Sequence, residues 1–152
     1  MNSPTLPSSI ENALATADPA EVLAETIRHF GCQAGTIHLL RDGRLRIVAH
    51  QGIPPQVIQI VETVPIGKGI AGLAAERREP VTICNLQTDN SGQARPGARA
   101  TGMEGSLAVP MLVADELRGV LGIAKAASYD WAPDEQALVL EIARRLGEQA
   151  AS

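Results

Sequence analysis

Aromatic residues are almost missing from this chain: Phe30, Tyr129 and Trp131 are the whole set, 2% of 152 residues. The core must therefore be aliphatic, and a site that needs several stacked rings is nearly excluded. Cysteine is as scarce. Cys32 and Cys84 cannot make a disulfide framework, so a reducing cytoplasm is the expected setting. No apolar run approaches the ~20 residues that span a bilayer, and no membrane partner is expected. The start, Met1-Asn2-Ser3-Pro4, lacks the basic residues and apolar stretch of a secretion signal. A basic excess is missing too: the net charge is −4. Nucleic-acid binding leaves a basic footprint, so no nucleic-acid partner is expected. Arg41, Arg44 and Arg46 cluster locally and read as a solvated hairpin tip.

What is present fits one domain. A chain of 152 residues with 45% hydrophobic residues has the size and composition of an ordinary globular unit. Pro4 and Pro7 mark residues 1–8 as a flexible lead-in to a single domain over 9–150. Ser8 with Glu11 resembles a capping box for a short helix to about Ala17. Asp18-Pro19-Ala20-Glu21 is a second helix start, with Asp18 as cap and Glu21 returning the bond. Leu23, Ile27 and Phe30 recur at helical spacing until Gly31 stops the helix.

Residues 34–50 read as a β-hairpin about Asp42-Gly43, a type I′ turn signal. That turn sets Arg41 against Arg44, Leu40 against Leu45 and His38 against Ile47. Thr36, His38 and Ala49 then share one face, and Ile37, Leu39 and Val48 share the other. Pro54-Pro55 opens a short helix, 64–69 is a turn region, 70–78 a helix and 80–84 a strand. Residues 86–104 carry no sustained apolar period, and structureless loops of such length are often functional. Residues 106–113 and 117–125 form a second hairpin around Asp115-Glu116. Pro133 starts a final helix with Leu138, Ile142 and Leu146 on one stripe and Glu141 paired with Arg145. Hairpins with helices at the chain ends define an α+β architecture.

Several strings resemble a known family. Pro65-Ile66-Gly67-Lys68-Gly69-Ile70-Ala71-Gly72 followed by Glu79-Pro80-Val81-Thr82-Ile83 looks like the middle of a GAF domain. Gly105-Ser106-Leu107-Ala108-Val109-Pro110-Met111, then Leu117-Arg118-Gly119-Val120-Leu121-Gly122-Ile123, fits as well. So does Trp131-Ala132-Pro133-Asp134-Glu135 with the helix after it. The resemblance covers about residues 10–150. It implies a GAF-like, profilin-like central antiparallel sheet of about six strands. It places helices 18–30 and 133–149 on one face, often building a dimer. Over the other face it places a ligand pocket roofed by short helices and the long loop.

Each motif has a plainer structural reading. Gly67, Gly69 and Gly72 spell G-x-G-x-x-G, but no βαβ crossover surrounds them, so a dinucleotide site is excluded. Tight turning and close packing explain them first, and anion contact at the helix start second. His29, His38 and His50 lack metal-ligand spacing, and neither cysteine has a metal partner, so no metal is expected. His38 stands on an otherwise apolar strand face; a lone histidine among few aromatics is thin support for haem. Cys84 has no positive charge or helix start beside it in sequence to activate its thiol and reads as buried filler. The bilin-binding branch of the family attaches its chromophore through a Cys-His pair; here Cys32 precedes Gln33 and Cys84 precedes Asn85.

The family also contains free methionine-(R)-sulfoxide reductases. Their chemistry implies cysteines in the long loop and acids in a strand pattern like Gly-Val-Leu-Asp-Ile-Asp. Residues 86–104 hold no cysteine, and Gly122 and Ala124 stand where the acids would be. No catalytic residue is therefore expected. The cyclic-nucleotide signature of the family is absent as well.

The expectation is a non-catalytic, small-molecule sensing domain without cofactor, acting in signal transduction through a separate partner protein. Its ligand, a small polar molecule, would contact His38, Asn85, Glu104 and Ser106 beneath a roof of residues 54–76 and 86–104. Ordering of that lid would shift a two-state equilibrium toward a partner-binding form. The alternative is a protein-interaction scaffold with a closed pocket. It would be a homodimer joined through the terminal helices.

Overall fold

Two tight turns set the sheet. Asp42 and Gly43 take φ of 53° and 78°, the left-handed pair that a type I′ hairpin needs. They join β1 (Ala34–Arg41) to β2 (Arg44–Gln51) in the expected register, with His38 opposite Ile47. Beyond His38 the register shifts, and Ile37 pairs with Ala49. Val48 is thus the extra residue of a bulge. It is 47% exposed, while Ala49 joins the core beside Ile37. The alternation that put Ala49 on the His38 face is corrected by this bulge. The second hairpin turns at Ala114 and Asp115, φ 50° and 66°, one residue earlier than expected.

The computed structural model describes residues 4–88, 91 and 101–150. Its remaining strands in chain order are β3 (Thr63–Pro65), β4 (Val81–Ile83), β5 (Gly105–Val113) and β6 (Glu116–Lys125). They form one six-stranded antiparallel sheet in the order β3-β2-β1-β6-β5-β4. β3 falls where the sequence reads as turn. Three residues are too few to show a period, and Pro65 sits on an edge strand, where a missing N–H is tolerated. Most of the expected 86–104 loop lies outside the described residues.

Helices α1 (Ser8–Ala15), α2 (Pro19–Phe30) and α5 (Pro133–Ala150) cover one face. Ile10, Leu23, Ile27, Ile142 and Leu146 pack there against Ile37, Met111 and Leu121. Leu6, in the lead-in, is buried in the same core. The apolar rows of the two helices expected to build a dimer are thus used largely inside the chain. All three aromatic rings also lie on this side. Phe30 and Trp131 are buried 6.2 Å apart, Tyr129 meets Trp131 at 4.8 Å, and the Lys125 ammonium sits 4.1 Å from the Tyr129 ring. The opposite face carries α3 (Pro55–Val61) and α4 (Gly69–Arg77), with Ala74 and Ala75 of α4 packed against Leu45, Val64 and Val120.

Three local expectations change. Asp18 does cap α2, accepting from the Ala20 amide at 3.0 Å, but its own amide goes to Thr16 Oγ1 rather than to Glu21. Helix α1 begins at Ser8 itself, so Pro7 is the cap residue and Ser8 caps nothing. Glu11 then takes both guanidinium nitrogens of Arg145, at 2.9 and 3.2 Å. That leaves Arg144, not Arg145, to pair with Glu141 at 2.7 and 2.8 Å.

Candidate functional site

A cavity of about 150 Å³ lies between the sheet and α3 and α4. Its floor is built from cross-strand rows. Ala34, Ala124 and Ser106 form one row; Thr36, Gly122 and Ala108 form the next. These six residues are among the smallest available, so the sheet leaves space where larger side chains would fill it. In the third row stand His38 and Val120. The roof is aliphatic: Ile53, Val57, Ile60 and Val61 come from the α3 segment, and Ile70 and Ala71 from the first turn of α4. Leu86 and Met103 close the side where the long loop leaves and returns.

Polar groups are few. Among the described residues the lining has Thr36, His38, Thr101 and Ser106, and one charged side chain, Lys68. Lys68 is exposed, so it stands at the mouth, and it immediately precedes α4, whose start has no side-chain cap. No acidic residue and no cysteine lines the cavity among the described residues.

His38 is 1% exposed. Its Nε2 lies 2.7 Å from the Val61 carbonyl. A carbonyl only accepts, so Nε2 carries the hydrogen and donates it. Nδ1 is buried without a partner. Burial pushes the imidazole below its ordinary pKa, with the Val61 bond opposing that shift. His38 is therefore neutral at physiological pH and ties β1 to the end of α3.

The other expected contacts divide. Ser106 lines the cavity with His38. Asn85 and Glu104 are not in its lining. The Asn85 amide nitrogen donates to Glu104 at 3.2 Å and reaches Ser128 Oγ at 2.8 Å, while Ser128 bonds Glu104 at 3.0 Å. The Leu86 amide donates to the Glu104 carbonyl at 2.7 Å. Together these bonds clamp the two ends of the 86–104 segment. Sequence reading missed Thr36 and Lys68 as lining residues. Thr36 was signalled by sharing the His38 face, and Lys68 by its place at a helix start.

The glycine motif shapes the entrance. Gly67 and Gly69 have φ of 89° and 70°, which favour glycine. At Gly72 a Cβ would stand 2.5 Å from the Pro65 carbonyl oxygen. Turning and close approach thus account for this motif. Cys84, expected as buried filler, is instead exposed just beyond the end of β4 and outside the cavity, and Cys32 is buried on the helix side, where burial raises its thiol to about 11.

The family model of the GAF domain matches residues 17–151. The chain belongs to the GAF domain family. A search of curated proteins found no match. Among solved structures it is similar to the GAF domain from a phosphoenolpyruvate-protein phosphotransferase of Coxiella burnetii. The identity is 22%, the TM-score 0.74, and 94% of this chain and 93% of that one are covered. The corresponding domain from Acinetobacter gives 16% identity and a TM-score of 0.76 over 94% and 90% of the two chains. A free methionine-R-sulfoxide reductase from Neisseria meningitidis, solved with its substrate, gives 15% and 0.76 over 94% and 86%. Identities this low establish a shared fold. No helix among the described residues is long and apolar enough to cross a membrane.

Proposed function

We propose that this GAF domain is a non-catalytic regulatory module that binds a small molecule between its sheet and α3–α4. The observation that carries the reading is the cavity itself. A row of small residues runs across the middle of an otherwise well-filled sheet, under a separate aliphatic roof. Solved relatives of this fold include domains from phosphotransferase proteins, which suits a regulatory part. The absence of a catalytic role is supported by chemistry. The described lining holds no thiol and no carboxylate, and its one imidazole is tied to a backbone carbonyl. Such a lining can hold a ligand, and no thiolate, carboxylate or free imidazole stands beside its Ser106, Thr36 and Thr101 hydroxyls to activate them. Binding alone is then the signal, and a separate partner protein reads it.

A thermal-shift panel of small anions, amino acids, oxo-acids and nucleotides tests the reading. A ligand at 100 times its Kd stabilises the native state by about 2.7 kcal/mol, which moves the melting midpoint by several degrees. A panel in which nothing shifts the midpoint at high excess contradicts the proposal.

A further inference from the structure

We infer that the cavity takes a small aliphatic monocarboxylate, with its acid at Lys68 and its tail over Gly122 and Ala124. The inference rests on the binding role proposed above and names the chemistry of its ligand. Size is the first constraint. An apolar cavity of this volume, about 150 Å³, is the size that accepts one benzene molecule. About six carbons therefore fill it.

Lining is the second constraint. The roof is aliphatic, and every aromatic ring of the chain lies on the opposite face of the sheet. Apart from the small imidazole of His38, which is tied to Val61, no ring is available to stack a planar ligand, so a flexible chain fits better than a heterocycle. Charge is the third. Lys68 is the one charged lining residue among those described, and it pairs with no described carboxylate. A carboxylate at the mouth gains a charge-assisted contact there. The α-ammonium of an amino acid would stand at the same mouth, against the like charge of Lys68 and with no acid among the described lining residues to pair it. The site should thus prefer a simple fatty acid to the amino acid of equal length.

Isothermal titration calorimetry of the full chain with hexanoate, butyrate, hexanamide and norleucine tests this. Hexanoate is expected to bind, and each methylene removed toward butyrate should weaken binding about fourfold. Hexanamide and norleucine should bind at least ~10-fold more weakly, since each lacks the matched charge or adds an unpaired one. Lys68→Met should abolish the preference for hexanoate over hexanamide. Gly122→Val should block hexanoate while keeping the fold. A Cβ there meets Thr36 Oγ1 at 3.4 Å and the Leu107 carbonyl oxygen at 3.8 Å, contacts the fold can accept, while the side chain takes up cavity space.

Norleucine or hexanamide binding as tightly as hexanoate overturns the inference. So does a carboxylate preference that survives Lys68→Met. If hexanoate fails but AMP or inorganic phosphate raises the melting midpoint, and Gly122→Val removes that rise, the ligand class is wrong and the binding role stands. If no compound of either set binds, both fall.

Discussion

Burial and one hydrogen bond set the state of His38, and they make a pH signature. The unfolded imidazole titrates near ~6.5, and the buried one below that. A depressed folded pKa means that the unfolded chain binds more protons on acidification. The stability linked to neutral His38 is therefore complete above about 6.5 and is lost as pH falls through the folded value. Urea melts at a series of pH values should show this loss in the native sequence. In His38→Gln, whose side-chain amide can still donate to Val61, the loss in that window should vanish; an unchanged slope would assign it elsewhere. Gly72 gives a second residue-scale prediction. Gly72→Ala places a Cβ against the Pro65 carbonyl and should cost roughly 1–3 kcal/mol in denaturant melts. The position of His38 on the cavity face was legible from alternation along its strand. Its partner Val61 was not, because the carbonyl belongs to a helix end 23 residues away in sequence.

At the scale of elements, local chemistry predicted more than long-range pairing did. The Asp42-Gly43 turn and the Asp18 cap are decided by neighbouring residues, and both formed as expected. Asp18→Ala should destabilise the chain by about 1 kcal/mol, and Asp18→Ser should recover most of it in the same denaturant melts. Strand β3, the bulge at Val48 and the exchange of arginine partners on α5 were illegible. Each depends on a segment far away in sequence. Arg145 is drawn to Glu11, 134 residues distant, and only then is Arg144 the partner left for Glu141. The hydrogen bond from Arg145 holds the Glu11 carboxyl below its ordinary pKa. The pair is solvent-facing, so its coupling in a double-mutant cycle should be small and fade at 1 M salt. Strong coupling that persists in salt would contradict this placement.

Seen whole, the molecule divides its residues between two faces. Phe30, Tyr129, Trp131 and the Cys32 thiol lie on the helix side, while small residues in the sheet on the other side leave a cavity beneath an aliphatic roof. The fold itself was legible, because hairpin turns, helix caps and family motifs all agree with one architecture. The cavity was only partly so. His38 and Ser106 line it, but Asn85 and Glu104 serve as a clamp at the loop base, since nearness to a loop in sequence does not fix where a side chain faces. A homodimer through the terminal helices stays a proposal. It must use surface other than the buried rows of α2 and α5, and native mass spectrometry at micromolar concentration decides it.

With its few aromatic rings on the helix side, the molecule leaves the cavity to an aliphatic ligand. Methyl-labelled NMR with hexanoate tests the central claim most directly. The account predicts shifts concentrated in Ile53, Val57, Ile60, Val61 and Ile70, with the helix-side methyls of Ile10, Leu23 and Ile142 unmoved. Shifts confined to the helix side, or none at saturating ligand, would contradict it.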